Sequence, residues 1–441
     1  MKPYAPLGLM YLSSYLKSLS IDVELFDTTF TDRDTLYRRL AREPGGILGI
    51  YTNLITRSSI IRIMQTAKAC GHTIILGGPE SANYPENYLQ HGADFVVVGE
   101  GELTLAELLP AIRKGNSANF HTIPGLIFRD TAGTIVRTPP RAAPRDISAY
   151  PWPDRDSIDI GQYQSAWSRH HGFNSVSMIT ARGCPYRCTW CSHAVFGYDH
   201  RRRLPVDCAE ELAHIISRFQ PDQIWYADDV FTISHPWLYD YARELQARGI
   251  HIPFETISRA DRLMKPEVLD TLAAMGCARI WIGSESGSQR ILDAMQRGVT
   301  VEQVRWATHE ARARGIKVGM FLMWGYGDET LEDIEATVRH VKECNPDVYF
   351  TTVAYPIMGT PYYDTYAEQI SLPGRWEDST DRNYRLAGQR SREYYKAAET
   401  LLHNEVEAEL ASGHDEEHVL RCRERAADAR RYLQGQEDRN V

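Results

Sequence analysis

The chain contains 441 residues, a length that usually corresponds to two or three domains. A hydrophobic content of 43% and a charged content of 24% are ordinary for a globular protein, and no apolar run is long enough to span a bilayer. The net charge of −9 and the absence of a secretory signal pattern indicate neither a nucleic-acid partner nor a secreted protein. Five of the eight cysteines are scattered without a pairing pattern, which predicts free thiols and a cytoplasmic location.

The first 140 residues alternate short apolar runs with helical patterns. The predicted strands are 21–26, 47–52, 73–78 and 94–99, and the predicted helices between them include 58–70 and 103–114. Near-continuous apolar strands that alternate with helices favour a parallel sheet covered on both faces. The segments 125–130 and 134–138, joined by a Thr-Ala-Gly turn, predict a β-hairpin. This region is therefore expected to be a doubly wound, Rossmann-like domain.

A second series of strands and helices begins at Val176. Its predicted strands are 176–180, 223–227, 252–257, 279–283, 317–324 and 348–354, and its predicted helices are 207–218, 236–248, 266–275, 301–314 and 330–343. Six such units favour a partial, open (β/α)6 barrel of the TIM type over a closed barrel of eight. From about Trp376 the chain becomes charged and helical, which predicts a helical cap.

These patterns predict an α/β protein with four regions. The expected boundaries are 1–140 for the N-terminal domain, 141–175 for a proline-rich linker, 176–370 for the barrel domain and 371–441 for the helical cap.

Three cysteines lie within eight residues, directly after the first strand of the barrel domain: Cys184, Cys188 and Cys191. A closed structural metal site needs four ligands, and iron–sulfur clusters normally take four cysteines, so a loop with three leaves one position open for chemistry. The spacing Cys-x3-Cys-x2-Cys also differs from the paired Cys-x2-Cys of zinc modules. The alternative is three unrelated cysteines of the core or surface.

Polar residues follow the next barrel strands where each strand ends. Asp228 and Asp229 follow the second, Ser258 and Arg259 the third, Glu285 the fourth and Gly325 the fifth. Parallel sheets bind ligands beyond the carboxyl ends of their strands, so these residues are candidates for one site. The alternatives are structural: adjacent carboxylates often cap a turn, and Arg259 has a neighbouring partner in Asp261.

The cysteine loop resembles the signature of the radical S-adenosylmethionine (SAM) enzymes. The resemblance implies that the three thiolates hold a [4Fe-4S] cluster. The fourth iron is then chelated by SAM, and one electron cleaves the SAM sulfonium to a 5′-deoxyadenosyl radical.

The same resemblance assigns roles to the residues at the strand ends. Asp228 and Asp229 accept hydrogen bonds from the methionine ammonium group, and Ser258 and Arg259 bind the methionine carboxylate. Glu285 pairs with Arg259 or reaches the ribose. The segment at Gly325 resembles an adenine-side element in which Tyr326 replaces the usual proline. Trp190 is expected to stack near the adenine or to cover the cluster.

Three N-terminal segments resemble the cobalamin-binding domain found in one subgroup of these enzymes. They are Pro6-Leu-Gly8, Leu76-Gly-Gly-Pro-Glu80 and Val98-Gly-Glu-Gly-Glu102. The resemblance implies cobalamin contacts from Gly77, Gly78, Pro79, Gly99 and Glu100; the alternative is a set of ordinary βα turns.

Two departures from the subgroup bear on cobalamin. The chain lacks an Asp-x-His-x-x-Gly motif, which would supply a histidine to cobalt. Members of this subgroup also lack that motif. It also lacks the first strand of the fold, which predicts either a start codon upstream of Met1 or an incomplete domain with weakened cobalamin binding.

The run His200-Arg-Arg-Arg203 is either an anion site, with Arg203 as the strongest candidate, or a solvated turn. Four tyrosines late in the barrel domain indicate an aromatic-lined cavity or simple packing: Tyr349, Tyr355, Tyr362 and Tyr363.

The resemblance favours a cobalamin-dependent radical SAM methyltransferase that acts on an unactivated carbon of a small molecule. The first alternative is a non-methylating cyclase or oxidoreductase that acts on a tetrapyrrole, a lipid or a natural product. A methylthiotransferase of transfer RNA and an iron–sulfur or zinc protein without catalysis are further alternatives. The expected partners are a small-molecule substrate and an electron donor such as flavodoxin or ferredoxin, with no nucleic acid and no membrane span.

Overall fold

The computed structural model describes residues 3–115, 117–193 and 195–437. The N-terminal part contains six helices and a five-stranded sheet within that range. The helices are α1 (Leu7–Ser18), α2 (Arg33–Arg42), α3 (Arg57–Ala69), α4 (Pro79–Asn83), α5 (Pro85–Gln90) and α6 (Glu102–Arg113). The strands are β1 (Ile47–Tyr51), β2 (Thr73–Gly77), β3 (Phe95–Val97), β4 (Leu126–Arg129) and β5 (Ile135–Arg137).

The sheet has the order β1-β2-β3-β4-β5, with β1 to β3 parallel and the last two strands antiparallel. Side chains alternate between its two faces, as the period of a strand requires. Ile74 and Leu76 pack in one apolar cluster with α2 and α3, whereas Ile75 packs with α6 in another. Helices on both faces and the predicted hairpin are therefore confirmed.

The predicted strand at 21–26 is wrong. Residues 21–28 form no helix or strand, and β1 is an edge of the sheet among the described residues. A strand is defined by the pairing of its backbone with a neighbour, and this segment has none. Its apolar residues are used for packing instead, since Leu25 and Phe26 lie against two different apolar clusters.

A linker without strands leads through α7 (Ile160–His171) to the second sheet. Its six strands are β6 (Ser175–Met178), β9 (Gln223–Tyr226), β10 (Phe254–Ser258), β11 (Cys277–Glu285), β12 (Lys317–Trp324) and β13 (Val348–Val353). The helices that cover it are α8 (Pro205–Phe219), α9 (His235–Ala247), α10 (Ala260–Leu263), α11 (Pro266–Ala274), α12 (Gln289–Ala294), α13 (Val301–Ala313) and α14 (Leu331–Cys344).

All neighbouring strands of this sheet are parallel, in the order β13-β12-β11-β10-β9-β6. The strands follow chain order from one edge to the other, and the two edge strands do not pair, so the predicted open (β/α)6 barrel is confirmed. A short antiparallel ribbon, β7 (Ala181–Arg182) with β8 (Arg201–Arg202), frames residues 183–200 directly after β6.

The C-terminal region ends in a helical hairpin of α16 (Arg392–Leu410) and α17 (Glu416–Glu437), which packs on α14 through one apolar cluster. Helix α15 (Pro361–Tyr366) precedes the two-stranded pair β14 (Ile370–Ser371) and β15 (Arg385–Leu386). The predicted helical C-terminal region is confirmed by α16 and α17, whereas 376–391 holds two short 3-10 helices (Trp376–Asp378 and Asp381–Asn383) and β15 in place of a continuous helix. Trp376 instead packs against Tyr84 and Tyr88 of the N-terminal domain. Within the described ranges, no helix has the length and apolar character that crossing a membrane requires.

Candidate active site at the strand ends

The three cysteines of the motif lie on the loop that the β7/β8 ribbon closes, here named the cluster loop (residues 183–200). Gly183 has a φ of +81°, and a side chain there would overlap the carbonyl oxygen of Asp199, so only glycine lets the loop leave and return at one point. The middle of the loop is fixed from outside, because the Thr189 N–H donates to the Met295 carbonyl (3.1 Å).

All three thiols are free, with Cys188 buried and the other two partly exposed. Burial raises the pKa of the Cys184 thiol and raises that of Cys191 to about 12, and repulsion between the neighbouring sulfurs adds to both shifts. Nowhere among the described residues do three or more His, Cys, Asp or Glu side chains approach closely enough to share one metal ion.

Two guanidinium groups converge on the buried cysteine. The Arg259 Nη1 lies 3.8 Å from the Cys188 Sγ, and the Arg297 Nη1 lies 3.6 Å from it. Both arginines are buried, so two positive charges lie beside this sulfur. Sequence reasoning missed Arg297, which lies in the turn between α12 and α13 rather than at a strand end.

Arg259 is held from several sides. Its Nε donates to Asp261 (2.9 Å), its Nη2 donates to the Arg297 carbonyl (2.7 Å), and its guanidinium lies over the Tyr186 ring at 3.6 Å. The structural alternative is thus correct about the pairing with Asp261. The burial of Arg259 and its contact with Cys188 show that the side chain also belongs to the cluster-loop site.

Glu285 ends β11 with a φ of +62°, an uncommon conformation for a residue with a side chain. Its carboxylate is buried and lies 3.9 Å from Arg297. Burial raises the pKa of Glu285, while the charges of Arg297 and Arg259 act in the opposite direction. Strain and a buried charge at one strand end mark a position that local packing alone does not favour.

The two aspartates after β9 differ in what they contact. Asp228 is buried and accepts from the backbone N–H of Thr180 (2.7 Å) and of Ala181 (3.1 Å), so it holds the end of β6. Asp229 keeps solvent access, and its charge raises the pKa of both Cys184 and Cys191. Desolvation and then repulsion from Asp228 raise the pKa of Asp229 itself. Asp229 is therefore the carboxylate that remains open to a ligand.

The other residues on the barrel side also divide into occupied and open groups. Ser258 is fully buried and shares a hydrogen bond with Thr232, so its hydroxyl is occupied. The Trp190 indole packs beside the buried Tyr326 and Tyr362, and its Nε1 has no partner among the described residues. Gly325 has a φ of +75°.

The loop at Gly325 is covered by the C-terminal region. A side chain at Gly325 would overlap the Tyr395 hydroxyl of α16, and the Gly325 N–H donates to Glu329 Oε2 (2.6 Å). Burial raises the pKa of Glu329 to about 8. Tyr395 was not foreseen, since nothing in the pattern of α16 links it to a loop about 70 residues earlier.

The N-terminal candidates lie at the end of β2 and in the turns that follow β2 and β3. A Cβ at Gly77 would meet nothing within 4 Å, which leaves open space there. Gly78 has a φ of +103°, and a Cβ would overlap the Thr52 carbonyl oxygen, so the turn itself requires this glycine. Pro79 begins α4. A Cβ at Gly99 would lie 3.7 Å from the Val195 carbonyl oxygen, so this loop borders the cluster loop.

The arginine run 200–203 is not a solvated turn. Arg201 pairs with Glu100, Arg202 lies 3.6 Å from Asp228, and Arg203 pairs with Asp207 at 2.7 Å and with Glu211. All three arginines lie in the interior with carboxylate partners, which leaves Arg203 no free charge for an anionic substrate. Glu100 is likewise engaged by Arg201 and Arg182.

The four tyrosines do not form one lining. Tyr349 bonds His403 at 2.7 Å, Tyr362 is buried against Tyr326, and Tyr355 lies under the Arg382 guanidinium. Tyr363 lies beside Tyr384, with ring centroids 5.9 Å apart.

Both halves of the chain match known families. Residues 178–341 match the family model of the radical SAM superfamily, and residues 2–109 match that of the B12 binding domain. The chain therefore combines a radical SAM domain with a B12-binding domain. Its cofactors are accordingly a [4Fe-4S] cluster, SAM and cobalamin.

Relatives cover most of the chain at low identity. An uncharacterized methyltransferase of Pyrococcus horikoshii, PH0819, is 28% identical over 85% of this chain and 81% of that protein. The anaerobic magnesium-protoporphyrin IX monomethyl ester cyclase of Rubrivivax gelatinosus is 24% identical over 83% of this chain and 66% of that protein.

Two solved structures share the fold of most of the chain. The radical SAM methyltransferase TsrM from Kitasatospora setae has a TM-score of 0.72 at 22% identity, covering 84% of this chain and 75% of that chain. The cobalamin-dependent SAM radical enzyme OxsB has a TM-score of 0.75 at 18% identity, covering 97% and 69%.

Proposed function

We propose that the protein methylates an unactivated carbon of a small molecule, using cobalamin as methyl carrier and a SAM-derived radical for hydrogen abstraction. The observation that carries the proposal is the meeting of two loops, where Gly99 of the B12-binding domain borders Val195 of the cluster loop. A methyl source and a radical source held at adjoining loops can act on one bound substrate. The methyltransferase relative of P. horikoshii supports the same reaction class.

The residues at the strand ends fit the groups that the two families use. Three free thiols are available, and two guanidinium groups offset the negative charge that ligation adds. The Trp190 Nε1 and the His193 Nε2 are buried without a partner among the described residues. Buried polar atoms in native proteins are nearly always bonded, so these two atoms favour a bound group in the site.

We assign the cluster to Cys184, Cys188 and Cys191, which must lose their protons to ligate. When bound, the reduced cluster supplies the electron that cleaves SAM, and cobalamin supplies the methyl group. Asp229 is proposed to accept hydrogen bonds from the methionine ammonium group, because Asp228 is occupied by the end of β6. Arg259, with its neighbour Arg297, is proposed to bind the methionine carboxylate.

The remaining candidates would orient the nucleoside and exclude water. Glu285 is proposed to reach the ribose, and the backbone of Gly325 to contact the adenine, with Trp190 beside it. Tyr395 closes the Gly325 loop from the side of the C-terminal helices. Gly77 and Gly99 are proposed as the places where the backbone approaches the corrin, since a side chain is absent at both.

A second candidate reaction is oxidative ring formation without methyl transfer. It is supported by the cyclase of R. gelatinosus, which covers nearly as much of the chain as the methyltransferase does. Substrate, electron donor and location are left as predictions: a small molecule, a flavodoxin or ferredoxin, and the cytoplasm.

The test is anaerobic reconstitution with iron, sulfide and hydroxocobalamin, followed by reaction with SAM, a reductant and candidate small molecules suggested by neighbouring genes. Methyl transfer to carbon predicts S-adenosylhomocysteine together with 5′-deoxyadenosine, and a product heavier by one CH₂ unit. Deoxyadenosine with a product that has lost hydrogen, and no S-adenosylhomocysteine, would replace the first candidate by the second.

Two variants control for the cluster. Cys188→Ala is expected to lose the absorbance of the cluster and all deoxyadenosine formation, whereas Cys344→Ala, a buried free cysteine of α14, is expected to keep both. Deoxyadenosine formation by Cys188→Ala would contradict the assignment.

A further inference from the structure

A cluster of four charged side chains joins the base of the cluster loop to the B12-binding domain. The Arg182 Nη1 donates to Glu100 Oε2 at 2.6 Å, and its Nη2 donates to Glu102 Oε1 at 2.7 Å. Arg201 completes the cluster by pairing with the second oxygen of Glu100. Arg182 and Arg201 face each other across the β7/β8 ribbon, so one carboxylate binds both strands at once.

The clamp, as we name these four residues, is buried and balanced in charge. The exposed fractions of the side chains are 4% for Arg182, 7% for Arg201, 9% for Glu100 and 5% for Glu102. Burying four charges is costly unless each has a partner with good geometry. Two cations with two anions, joined by three ion pairs, meet that condition.

Aromatic rings further restrict Arg182. Its guanidinium lies 4.9 Å from the centroid of the Tyr11 ring, which belongs to α1, and 5.1 Å from that of Tyr150 in the linker. Contacts with a planar guanidinium from above and from its edges leave it a single orientation. Arg182 is thus tied to the N-terminal domain on several sides.

The clamp lies close in sequence to a cysteine of the cluster loop and to the loop that borders it. Arg182 is two positions before Cys184, and Glu100 directly follows Gly99, which borders the cluster loop. Glu102 begins α6, so the clamp also fixes this helix. By contrast, the pair Arg141–Glu107 (3.0 Å) joins the same helix to the linker at a half-exposed position far from the cysteines in sequence.

We propose that the clamp is a positioning device that sets the distance and orientation of the B12-binding domain relative to the cluster loop. Its function is to let the SAM methyl group and cobalt meet during methyl transfer, and in this it rests on the proposed function. Cobalamin bound beside the loop of Gly99 would supply the electron pair that takes the methyl group from the SAM sulfonium, and S-adenosylhomocysteine would be the leaving group.

Other contacts hold the cluster loop within the barrel domain. Asp228 binds Thr180 and Ala181, and Thr189 binds Met295. Loss of the clamp is therefore expected to spare SAM cleavage, which the barrel domain performs, and to impair only the step that needs both domains.

The test uses Glu102→Gln, which keeps the shape of the side chain and whose partner is Arg182. In the cofactor-free protein, hydrogen–deuterium exchange of the peptide that contains residues 181–184 is expected to accelerate by about tenfold. After reconstitution, deoxyadenosine formation without substrate should stay within about twofold. S-adenosylhomocysteine formation with cobalamin reduced by titanium(III) citrate should fall by about tenfold or more.

The matched control is Glu107→Gln on the same helix, which should leave all three measurements unchanged. Arg182→Lys, which keeps the charge but loses the forked geometry, should behave like Glu102→Gln; this variant keeps the proposal testable should the first one fold poorly. Unchanged exchange, or an equal loss of both activities, would overturn the clamp. If the wild type itself forms no S-adenosylhomocysteine, methyl transfer fails as a function, and the exchange experiment still decides whether the clamp holds the loop.

Discussion

The barrel domain and the B12-binding domain present their strand ends to the site in different ways. The barrel offers side chains at consecutive strand ends, namely Asp229, Arg259 and Glu285, together with Arg297 from the turn after α12. The N-terminal domain contributes loops that contain glycines. The carboxylate of Glu100, which lies in one of these loops, is already paired with Arg182 and Arg201. We therefore propose that the barrel half binds its ligands through charge and the N-terminal half through close approach of its backbone.

This difference predicts opposite consequences of mutation. Removing one of these side chains from the barrel half should abolish SAM cleavage with little change in the fold. Adding a side chain to the N-terminal half should fill space that a ligand or a neighbouring loop needs. The predictions below test each half with a control from the same element.

The largest effect is expected for Arg297→Leu. It removes the positive charge that lies 3.6 Å from the Cys188 Sγ and 3.9 Å from the buried carboxylate of Glu285. Loss of one such electrostatic contact typically costs about 100-fold in rate or more. The rate of deoxyadenosine formation measures the effect, with Arg312→Leu, a half-exposed arginine of α13, as the control. A rate within threefold of wild type would show that Arg297 is only a packing residue.

The glycine pair Gly77 and Gly78 tests the N-terminal half. Gly78→Ala is expected to destabilise the domain by about 2 kcal/mol or more, because it combines a φ of +103° with an overlap at the Thr52 carbonyl. In Gly77→Ala the added methyl group would lie in open space, so the free energy of unfolding should change little. The affinity of this variant for hydroxocobalamin should fall. Chemical denaturation and absorbance titration separate the two effects. Equal cobalamin affinity in Gly77→Ala and wild type would remove Gly77 from the proposed corrin contacts.

A third prediction concerns the charges that tie the N-terminal domain to the C-terminal region. Arg57 of α3 is fully buried and pairs with Glu80 at 2.6 Å and with Asp381 at 2.9 Å. Asp381→Ala should lower the free energy of unfolding by about 3 kcal/mol, because it unbalances a buried ion-pair network. Glu377→Ala, which removes the partner of the exposed Arg375, should change it by less than about 1 kcal/mol. Similar losses in the free energy of unfolding for the two variants would contradict the claim that burial makes the ion pair of Asp381 the more important one.

The sequence predicted the barrel better than the N-terminal domain for a physical reason. Segments such as 317–324 are mostly apolar, are followed by a glycine and alternate with amphipathic helices, so local pattern and tertiary position agree. Residues 21–26 have the pattern of a strand, but whether they form one depends on a neighbour that local pattern does not specify. The local pattern near Trp376 likewise does not reveal that its ring packs on Tyr88 of the N-terminal domain.

The site residues also differ in whether the sequence around them reveals their role or whether that role depends on a residue far away in the chain. The three cysteines were found because their spacing is local. Arg297 contacts a cysteine 109 positions earlier in the chain, and Glu102 pairs with an arginine 80 positions later. No local pattern marks Arg297 as part of the site, and the motif that contains Glu102 does not reveal its pairing with Arg182. Asp228 and Asp229 are adjacent in sequence, and only the structure separates the carboxylate that holds β6 from the one that faces the cysteines.

The smallest expected effect is a pH dependence that comes from Glu329 at the loop of Gly325. Burial raises the pKa of this carboxyl to about 8, so the folded state favours its neutral form. The stability that this preference supplies is complete below the ordinary pKa of glutamate and is lost as the pH rises through about 8. Melting temperature should therefore decline between pH 5 and pH 9 in the wild type, and more weakly in Glu329→Gln, which stays neutral throughout. Gln289→Glu, at the partly exposed start of α12, is the control for a charge change at the surface. Parallel pH profiles for wild type and Glu329→Gln would mean that the ionised carboxylate of Glu329 is stabilised by a positively charged partner in solution. The barrel half would then tolerate a buried negative charge beside the proposed adenine position.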